Sequence, residues 1–247
     1  MGERSGFLDR GDGERIAWRE VDGDGPTVVW LGGFRSDMGG TKAVALAEAA
    51  QARGWRFLRF DYYAHGESSG DWNAATIGRW RADSLAVIDQ LTDGPLVLVG
   101  SSMGGWVASL AALARPERVK ALVLIAPAPD FTEALMRPAM SPEALRELEL
   151  NGVWLQPSEY DAPYAITKRL LDEGRDWLVL DKPVPIRCPV RILQGEADPD
   201  VPWAHALALA QAVETDDVVF TLIKAGDHRL SRPQDLERLV ATVAEVR

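Results

Sequence analysis

The chain has 247 residues, of which 47% are hydrophobic and 26% are charged, a composition typical of a folded domain with a sizeable core. It excludes a disordered or fibrous protein. Acidic residues outnumber Lys and Arg by 37 to 27, which gives a net charge of −10, so nucleic acid is not an expected partner. One cysteine and three histidines exclude a disulfide and a Cys-rich zinc site, and no metal is expected.

The chain contains no apolar run near the roughly 18 residues that a membrane-spanning helix requires, so no integral membrane association is expected. Its first fifteen residues are charged and Gly-rich and do not contain the apolar stretch of a secretory signal. Together with the low cysteine count, these features predict a cytoplasmic location. At this length we expect one domain over residues 1–247.

Short apolar runs rich in Val, Ile and Leu alternate with longer segments of helical spacing. Continuous hydrophobicity is typical of strands that are buried on both faces, as in a parallel sheet, and the alternation predicts a doubly wound α/β domain. The predicted strands are Ile16–Val21 at an antiparallel edge, then Thr27–Leu31, Trp55–Phe60, Pro95–Gly100, Val119–Ile125, Val190–Leu193 and Val218–Ile223. The predicted helices are Thr41–Ala52, Ile77–Leu91, Gly104–Ala114, Trp203–Val213 and Pro233–Val246.

Residues 127–187 break this alternation. They contain eight prolines and two helical patterns, around Pro142–Leu150 and Tyr164–Glu173, but no convincing buried strand. We interpret the stretch as a small helical lid inserted over the carboxyl ends of the strands, where ligands bind in open α/β sheets.

A Gly-x-Ser-x-Gly pentad lies where a predicted strand meets a predicted helix, at Gly100–Gly104. In a nucleophile elbow the turn is so tight that side chains at the two glycine positions would clash. The alternative is a Gly-rich turn that only allows close helix packing. The strand-to-helix context favours the elbow and predicts that Ser102 is a nucleophile.

A serine hydroxyl needs a base within hydrogen-bonding distance, and in elbow hydrolases the chain order is Ser, then acid, then His. His228 follows the last predicted strand and is therefore the predicted base. His205 lies on a predicted helix among Ala and Leu, where a packed or surface role is expected. His65 lies in a loop before the elbow, where it is either a turn residue or a border of the pocket.

The acid of the triad must orient the imidazole and stabilise its charged form. Asp198 is the predicted acid, because it lies in the Gly- and Pro-containing loop after the strand Val190–Leu193. Asp130, after the preceding strand, is the main competitor. Asp200 is expected to be a solvated loop acid, Glu196 to contribute to the same turn, and Asp227 to have a structural role.

An oxyanion hole requires two backbone N–H donors. We predict that Met103, directly after the nucleophile, supplies one and that Phe34, in the loop after Thr27–Leu31, supplies the other. Arg35 either contacts an anionic or polyol part of a substrate or is a surface arginine. Trp154 and Trp177 are hypothesised to line an acyl pocket, or else to join the lid to its base, together with Leu135, Met136, Met140 and Leu155.

The oxyanion loop, the pentad, Gly195–Pro202 and Gly226–His228 together resemble the α/β-hydrolase superfamily over essentially the whole chain. More narrowly, the chain is similar to the subfamily of mitochondrial palmitoyl-protein thioesterase, also described as an acyl-glucuronide esterase. The segments that carry this similarity are Gly33–Met38 with Lys42–Val44, then Arg59–Tyr62, Gly78–Asp83 and Gly100–Trp106. Ala64 departs from the pattern, because many members carry Gly in their Asp-x-x-Gly-x-Gly-x-Ser loop.

The resemblance implies the α/β-hydrolase fold and a serine hydrolase that cleaves small-molecule acyl esters or thioesters through an acyl-enzyme, without a cofactor. It maps Ser102, Asp198 and His228 onto the family's triad. Alternatives on the same fold are a carbon–carbon bond hydrolase or a cofactor-free perhydrolase. A non-catalytic ligand-binding protein would have a damaged triad. The mitochondrial address is not expected to carry over, because no Arg- and Ser-rich leader is visible.

Overall fold

The computed structural model of the chain describes residues 2–156 and 164–247. Within these residues a central sheet has the strand order β1-β2-β4-β3-β5-β6-β9-β10. All neighbouring strands from β4 to β10 are parallel, whereas β1 and β2 are antiparallel at one edge. The predicted mostly parallel, doubly wound sheet is confirmed. Its strands are β1 (Glu3–Asp9), β2 (Arg15–Val21), β3 (Asp24–Leu31), β4 (Trp55–Phe60), β5 (Leu96–Ser101), β6 (Val119–Ile125), β9 (Val190–Gly195) and β10 (Val218–Ile223).

Helices cover both faces of the sheet. The main helices are α1 (Thr41–Arg53), α2 (Ile77–Leu91), α3 (Met103–Ala114), α7 (Trp203–Ala212) and α8 (Pro233–Val246), with a 3-10 turn at Trp72–Ala74. One core packs the sheet against α2, α3 and α7, and the other packs it against α1 and α8. Neighbouring residues of β3 divide between the two: Val29 enters the first core and Val28 the second. This division explains why the central strands are continuously apolar.

The lid between β6 and β9 contains a hairpin as well as helices. Its elements are a π-helical turn at Thr132–Met136, α4 (Arg137–Ala139), α5 (Pro142–Asn151), β7 (Val153–Gln156), β8 (Tyr164–Thr167), α6 (Lys168–Gly174) and a 3-10 turn at Arg175–Trp177. Antiparallel β7 and β8 differ from the expected all-helical insertion. Each has only four residues, too few for a period-2 pattern to stand out. Residues 157–163 of the predicted insertion lie outside the described residues.

The strand β1 was not expected from the sequence. It pairs with β2 from Glu3↔Val21 to Asp9↔Arg15, and most of its residues are exposed. An edge strand that buries so little carries few apolar residues, so hydrophobic patterning cannot reveal it. In the described part of the chain, no helix has both the length and the hydropathy needed to cross a bilayer.

Candidate active site

Ser102 occupies the sharp turn between β5 and α3, with φ 55° and ψ −120°. A Cβ on Gly100 would lie 2.3 Å from the carbonyl oxygen of Gly104, and one on Gly104 would lie 2.1 Å from that of Leu31. The backbone N–H of Ser102 donates to the carbonyl oxygen of Ile125 at 2.8 Å. The surrounding backbone therefore holds a strained serine at the carboxyl edge of the sheet, and both glycines are sterically required.

The three residues predicted as a triad lie in one hydrogen-bonded row. The distance from Nε2 of His228 to Oγ of Ser102 is 3.1 Å, and that from Nδ1 of His228 to Oδ2 of Asp198 is 2.8 Å. With Nδ1–H donating to the carboxylate, Nε2 is free to accept the serine proton. The row can therefore activate a serine hydroxyl for attack on a carbonyl carbon.

The carboxylate of Asp198 is fully partnered. Its Oδ1 accepts the backbone N–H groups of Asp200 and Val201, each at 2.9 Å, and its Oδ2 accepts Nε2–H of Gln194 at 3.1 Å as well as the imidazole of His228. Burial pushes the pKa of Asp198 upward, but the hydrogen bonds from His228 and the two amides hold it below its ordinary value. Asp198 therefore stays ionised at neutral pH.

The competing acids have other partners. Asp130 accepts the backbone N–H groups of Val179 and Leu180 at 2.9 and 2.8 Å, which ties it to the segment after the 3-10 turn Arg175–Trp177. Asp227 accepts the N–H of Leu230, and Glu196 accepts that of Ala225. These carboxylates brace loops, whereas Asp198 is the one that contacts His228.

The loop after β3 lies against the elbow. A Cβ on Gly33 would lie 3.3 Å from the carbonyl oxygen of Ser101 and 3.5 Å from Cβ of Ser102, so the loop lies directly against the elbow. Phe34 and Met103 both line the cavity that contains Ser102. Met103 is the first residue of α3, where an N–H has no partner within the helix. Phe34 and Met103, the two residues predicted to bind an oxyanion, therefore both border the cavity at Ser102.

His65 anchors this loop. Its Nε2 accepts the backbone N–H of Arg35 at 3.2 Å, and its Nδ1 lies 3.0 Å from the carbonyl oxygen of Tyr63. Its ring packs against those of Trp72 and Trp80, with centroid distances of 5.3 and 5.2 Å. Burial lowers the pKa of His65 to about 4, so the ring is neutral and can accept. His65 is both a turn residue and a support of the pocket wall.

A cavity of about 500 Å³, here called the apolar cavity because most of its lining residues are apolar, extends from Ser102 beneath the lid. Leu135, Met136, Met140 and Trp154 line it, as the acyl-pocket hypothesis requires. Trp177 does not line it: its Nε1 donates to Oε1 of Glu173 at 2.7 Å, and its carbonyl oxygen accepts Nε1–H of Trp106. Leu155 follows Trp154 on a strand and points away, half exposed. Trp177 thus joins the lid to its base, and Trp154 remains the tryptophan of the cavity.

A second cavity of about 440 Å³, here called the polar cavity, shares Phe34, Arg35, Ser102 and His228 with the apolar one. It extends toward the start of α1 and the segment after His228. The residues that line only the polar cavity are mostly small or polar: Trp30, Gly33, Ser36, Asp37, Gly40, Thr41, Lys42, Ser101, Arg229 and Ser231.

Asp198, Asp200 and His228 offer ligand atoms within 4.8 Å of one another, which is close enough to hold a metal ion. The two oxygens of Asp198 already accept four hydrogen bonds, however, and Nδ1 of His228 is one of the donors. A cation there would displace those bonds. The donor set therefore fits a hydrogen-bonded triad better than a metal site.

A family model described as the α/β hydrolase fold matches residues 26–163. The chain belongs to this family. Among curated proteins, it is 39% identical over 244 residues to Bos taurus "Palmitoyl-protein thioesterase ABHD10, mitochondrial", which covers 97% of this chain and 79% of the relative. The Homo sapiens protein of the same name is 38% identical over 242 residues, with the same two shares covered. The predicted resemblance and the predicted class of chemistry, ester or thioester hydrolysis, are confirmed.

These relatives also correct one prediction. The chain was expected to be cytoplasmic, but the curated proteins that are 37–39% identical to it are all named as mitochondrial. The cytoplasmic prediction is therefore wrong. It depended on the low cysteine count and on the composition of the first fifteen residues, and neither feature distinguishes one reducing compartment from another.

Solved structures of α/β hydrolases agree with the architecture. A putative hydrolase from Agrobacterium vitis S4 is 40% identical with a TM-score of 0.95, covering 100% of this chain and 99% of that one. Mouse alpha/beta hydrolase domain-containing protein 10 is 37% identical with a TM-score of 0.90, covering 98% and 97%. Est1E from Butyrivibrio proteoclasticus, at 23% identity and a TM-score of 0.76, shares the fold alone.

Two further polar residues of this α/β hydrolase were not singled out from the sequence. Gln194 is fully buried at the end of β9 and donates to Asp198, and Lys42 faces the polar cavity from α1. A glutamine directly after a run of buried apolar residues was the only available signal for the first. Lys42 lies in one of the segments that carry the family resemblance. That it lines the same cavity as Ser102 becomes visible only in the folded chain.

Proposed function

We propose that the chain is a serine hydrolase that cleaves small-molecule acyl esters or thioesters through an acyl-enzyme. Ser102 is the nucleophile, His228 the general base and Asp198 the acid that orients it. The observation that carries the proposal is the hydrogen-bonded row in which His228 lies 3.1 Å from Ser102 and 2.8 Å from Asp198. Ser102 has the positive φ, 55°, of a nucleophile elbow. The names of the curated relatives support the thioester part.

The reaction begins when Nε2 of His228 takes the Oγ proton and Oγ bonds to the carbonyl carbon. The carbonyl electrons move to the oxygen, and the N–H groups of Phe34 and Met103 bind the resulting oxyanion. As the oxyanion collapses, the bond to the leaving oxygen or sulfur breaks, and His228 returns its proton to that atom. Water then attacks the acyl-enzyme by the same route, which releases the acid and restores Ser102.

The acyl part of the substrate belongs in the apolar cavity. Leu135, Met136, Met140 and Trp154 offer apolar surface to a hydrocarbon chain within a volume of about 500 Å³. Removing apolar surface from water favours binding by about 25 cal/mol per Å². This wall therefore favours acyl chains of some length over acetyl groups.

Labelling with a fluorophosphonate, with Ser102→Ala as the control, tests the nucleophile. The wild-type chain should become labelled at Ser102 and the variant should not. A panel of p-nitrophenyl esters and acyl thioesters of graded chain length then tests the substrate class. Labelling at another residue, or hydrolysis that survives in Ser102→Ala, would overturn the proposal.

A further inference from the structure

The central sheet ends at β10, and the outer edge of this strand is open. Among the residues that the structure describes, only β9 pairs with β10. The carbonyl oxygens of Asp217 and Ile223 point toward β9, because each accepts a backbone N–H from that side. Backbone groups alternate between the two sides of a strand, so those of Val218, Phe220 and Leu222 point away from β9. The edge therefore offers N–H and C=O groups to another strand.

The side chains along this edge are apolar. The strand reads Val-Val-Phe-Thr-Leu-Ile and contains no charged residue. Val219 and Leu222, which lie on opposite faces of the sheet, are 47% and 44% exposed. The helix α8 packs against α1, β5 and β6, so it lies over the middle of the sheet and leaves its outermost strand partly uncovered. A second strand added at this edge would therefore remove apolar surface from water.

The other edge strand, β1, is of a different kind. Its seven residues include Glu3, Arg4 and Asp9. Charged side chains on an edge strand oppose pairing with another chain, and β10 carries none. An open apolar edge is a template on which a further strand adds. Of the two edges of the sheet, β10 is therefore the one at which an added strand is expected.

The charges beside the two ends of β10 identify the added strand. Asp216 and Lys224 lie four positions before and four positions after Phe220, and both are exposed. Neither forms an ion pair with a described residue, whereas the neighbouring Asp217 pairs with Arg191 at 2.7 Å. When two copies of β10 pair antiparallel about Phe220, Asp216 of each copy lies directly opposite Lys224 of the other. Opposite charges at opposed positions attract, so the strand is complementary to itself.

The backbone register of this arrangement agrees with the alternation along β10. With Phe220 opposite Phe220, Val218 lies opposite Leu222, and all of these residues have outward backbone groups. Opposed residues of this kind exchange both of their N–H···O bonds in an antiparallel ladder. The N–H of Val218 would exchange its present acceptor, the carbonyl oxygen of Asp216 at 3.1 Å, for that of Leu222. A shift by two residues keeps the outward groups aligned but moves Asp216 away from Lys224, so the charges select one register.

We propose that β10 binds β10 of a second copy of this chain, antiparallel and centred on Phe220, so that one sheet runs through both copies. Each copy uses the same surface for this contact, which makes the interface isologous. Because the contact occupies the β10 edge of both copies, the assembly closes at two chains and does not continue into a filament.

Sedimentation equilibrium tests the dimer and its register. The wild-type chain should associate reversibly into pairs. Asp216→Lys and Lys224→Asp should each raise the dissociation constant by about 10-fold or more, because like charges then oppose each other at both symmetry-related contacts. A mixture of the two variants should associate about as tightly as wild type, because every opposed pair across the mixed dimer again has opposite charges.

Asp93→Lys and Lys120→Asp are the matched controls, since they change the net charge by the same amounts. Asp93 is exposed in the turn before β5 and Lys120 is exposed on β6, and neither of these strands neighbours β10. Each control should keep the wild-type dissociation constant, and mixing the two should not lower it. Thermal unfolding of all four variants verifies that they remain folded.

Leu222→Pro tests the backbone contact separately. The N–H of Leu222 points away from β9, so a proline leaves the ladder with β9 intact but removes a donor and obstructs a second strand. We expect this variant to be a monomer. If it does not fold, the charge variants decide, because Asp216 and Lys224 are exposed.

Two results would overturn the proposed interface. One is a wild-type chain that stays monomeric up to about 0.1 mM, or charge variants that associate no better when mixed than alone. The other is a dimer whose dissociation constant is unchanged in Leu222→Pro and in Asp216→Lys, because such a dimer uses another surface.

Discussion

The buried imidazole of His65 accepts a hydrogen bond from the backbone N–H of Arg35, with 3.2 Å between the two nitrogens. Arg35 follows the proposed oxyanion donor Phe34 and has a left-handed φ of 59°. Asp61 binds the same loop a second time, because its Oδ1 accepts the N–H of Met38 at 2.7 Å. The loop that starts at Asp61 therefore fixes the backbone direction of the oxyanion loop, and His65 is a positioning residue.

His65→Phe keeps an aromatic ring among Trp72 and Trp80 but removes the acceptor. We expect kcat to fall by about 10- to 100-fold with little change in KM, because a displaced donor weakens the transition state more than substrate binding. His65→Gln offers an oxygen near the position of Nε2 and should restore most of the rate.

The affinity of a boronic acid that mimics the tetrahedral intermediate should fall in parallel with kcat in His65→Phe. Thermal unfolding serves as the control for a purely structural role. A lower melting temperature with unchanged kcat and inhibitor affinity would contradict the positioning role.

Asp198→Asn should reduce kcat by about 10⁴-fold, because an amide no longer favours the tautomer with its proton on Nδ1 of His228. Asp130→Asn is the matched comparison. It disturbs the carboxylate that accepts the amides of Val179 and Leu180, so it should lower the stability of the lid junction and affect kcat much less. Steady-state kinetics and thermal unfolding of both variants measure these effects. A larger loss of kcat in Asp130→Asn than in Asp198→Asn would assign the triad acid to Asp130.

The lid tryptophans Trp154 and Trp177 should respond differently to replacement by Ala. Trp154→Ala enlarges the apolar cavity, so the ratio of kcat/KM for long chains to that for short chains should rise by roughly 3- to 10-fold. Trp177→Ala should leave that ratio unchanged and lower stability by about 2–3 kcal/mol, since its ring packs between Gly78 and the guanidinium of Arg81. An unchanged chain-length profile in Trp154→Ala would exclude it from the acyl pocket.

Stability should depend on pH through Asp83. This fully buried residue lies 3.1 and 3.2 Å from Arg10 and Arg79, and burial raises its pKa to about 6 from the ordinary 3.8. Because the folded pKa is the higher one, the contribution of Asp83 is complete below pH 3.8 and is lost as pH rises through 6.

Asp83→Asn cannot ionise and keeps an acceptor for the N–H of Tyr63. The unfolding free energy of the variant, relative to wild type, should therefore increase between pH 4 and pH 7, by at most about 3 kcal/mol. Chemical denaturation at several pH values measures the difference. A difference that stays constant with pH would show that Asp83 is not the titrating group.

The sequence predicted best those elements whose pattern is determined locally. The bounds of β4 and α2 agree with the predicted Trp55–Phe60 and Ile77–Leu91, because β4 is buried almost throughout and α2 begins after a threonine whose side chain accepts the N–H of Arg79. The edge strand β1 and the lid hairpin could not be found in this way, because partners elsewhere in the chain, rather than apolar periodicity, stabilise them.

The candidate site likewise contains residues that local sequence patterns predicted and residues whose contacts appear only in the folded chain. Chain order and the pentad predicted Ser102, Asp198 and His228 as a triad, and in the folded chain these residues lie within hydrogen-bonding distance of one another. The contact of His65 with Arg35 and the position of Lys42 beside Arg229 join residues 30 and 187 positions apart. Such contacts depend on how loops from different strands meet, and no local pattern specifies them.

The junction of the two cavities at Ser102 and His228 also affects how the two halves of the proposed reaction follow one another. An acyl chain held beneath the lid does not need to move when the alcohol or thiol departs from the polar cavity. The vacated space then admits the second nucleophile next to the same imidazole. Water and an added polar thiol would therefore compete for the proposed acyl-enzyme at that point.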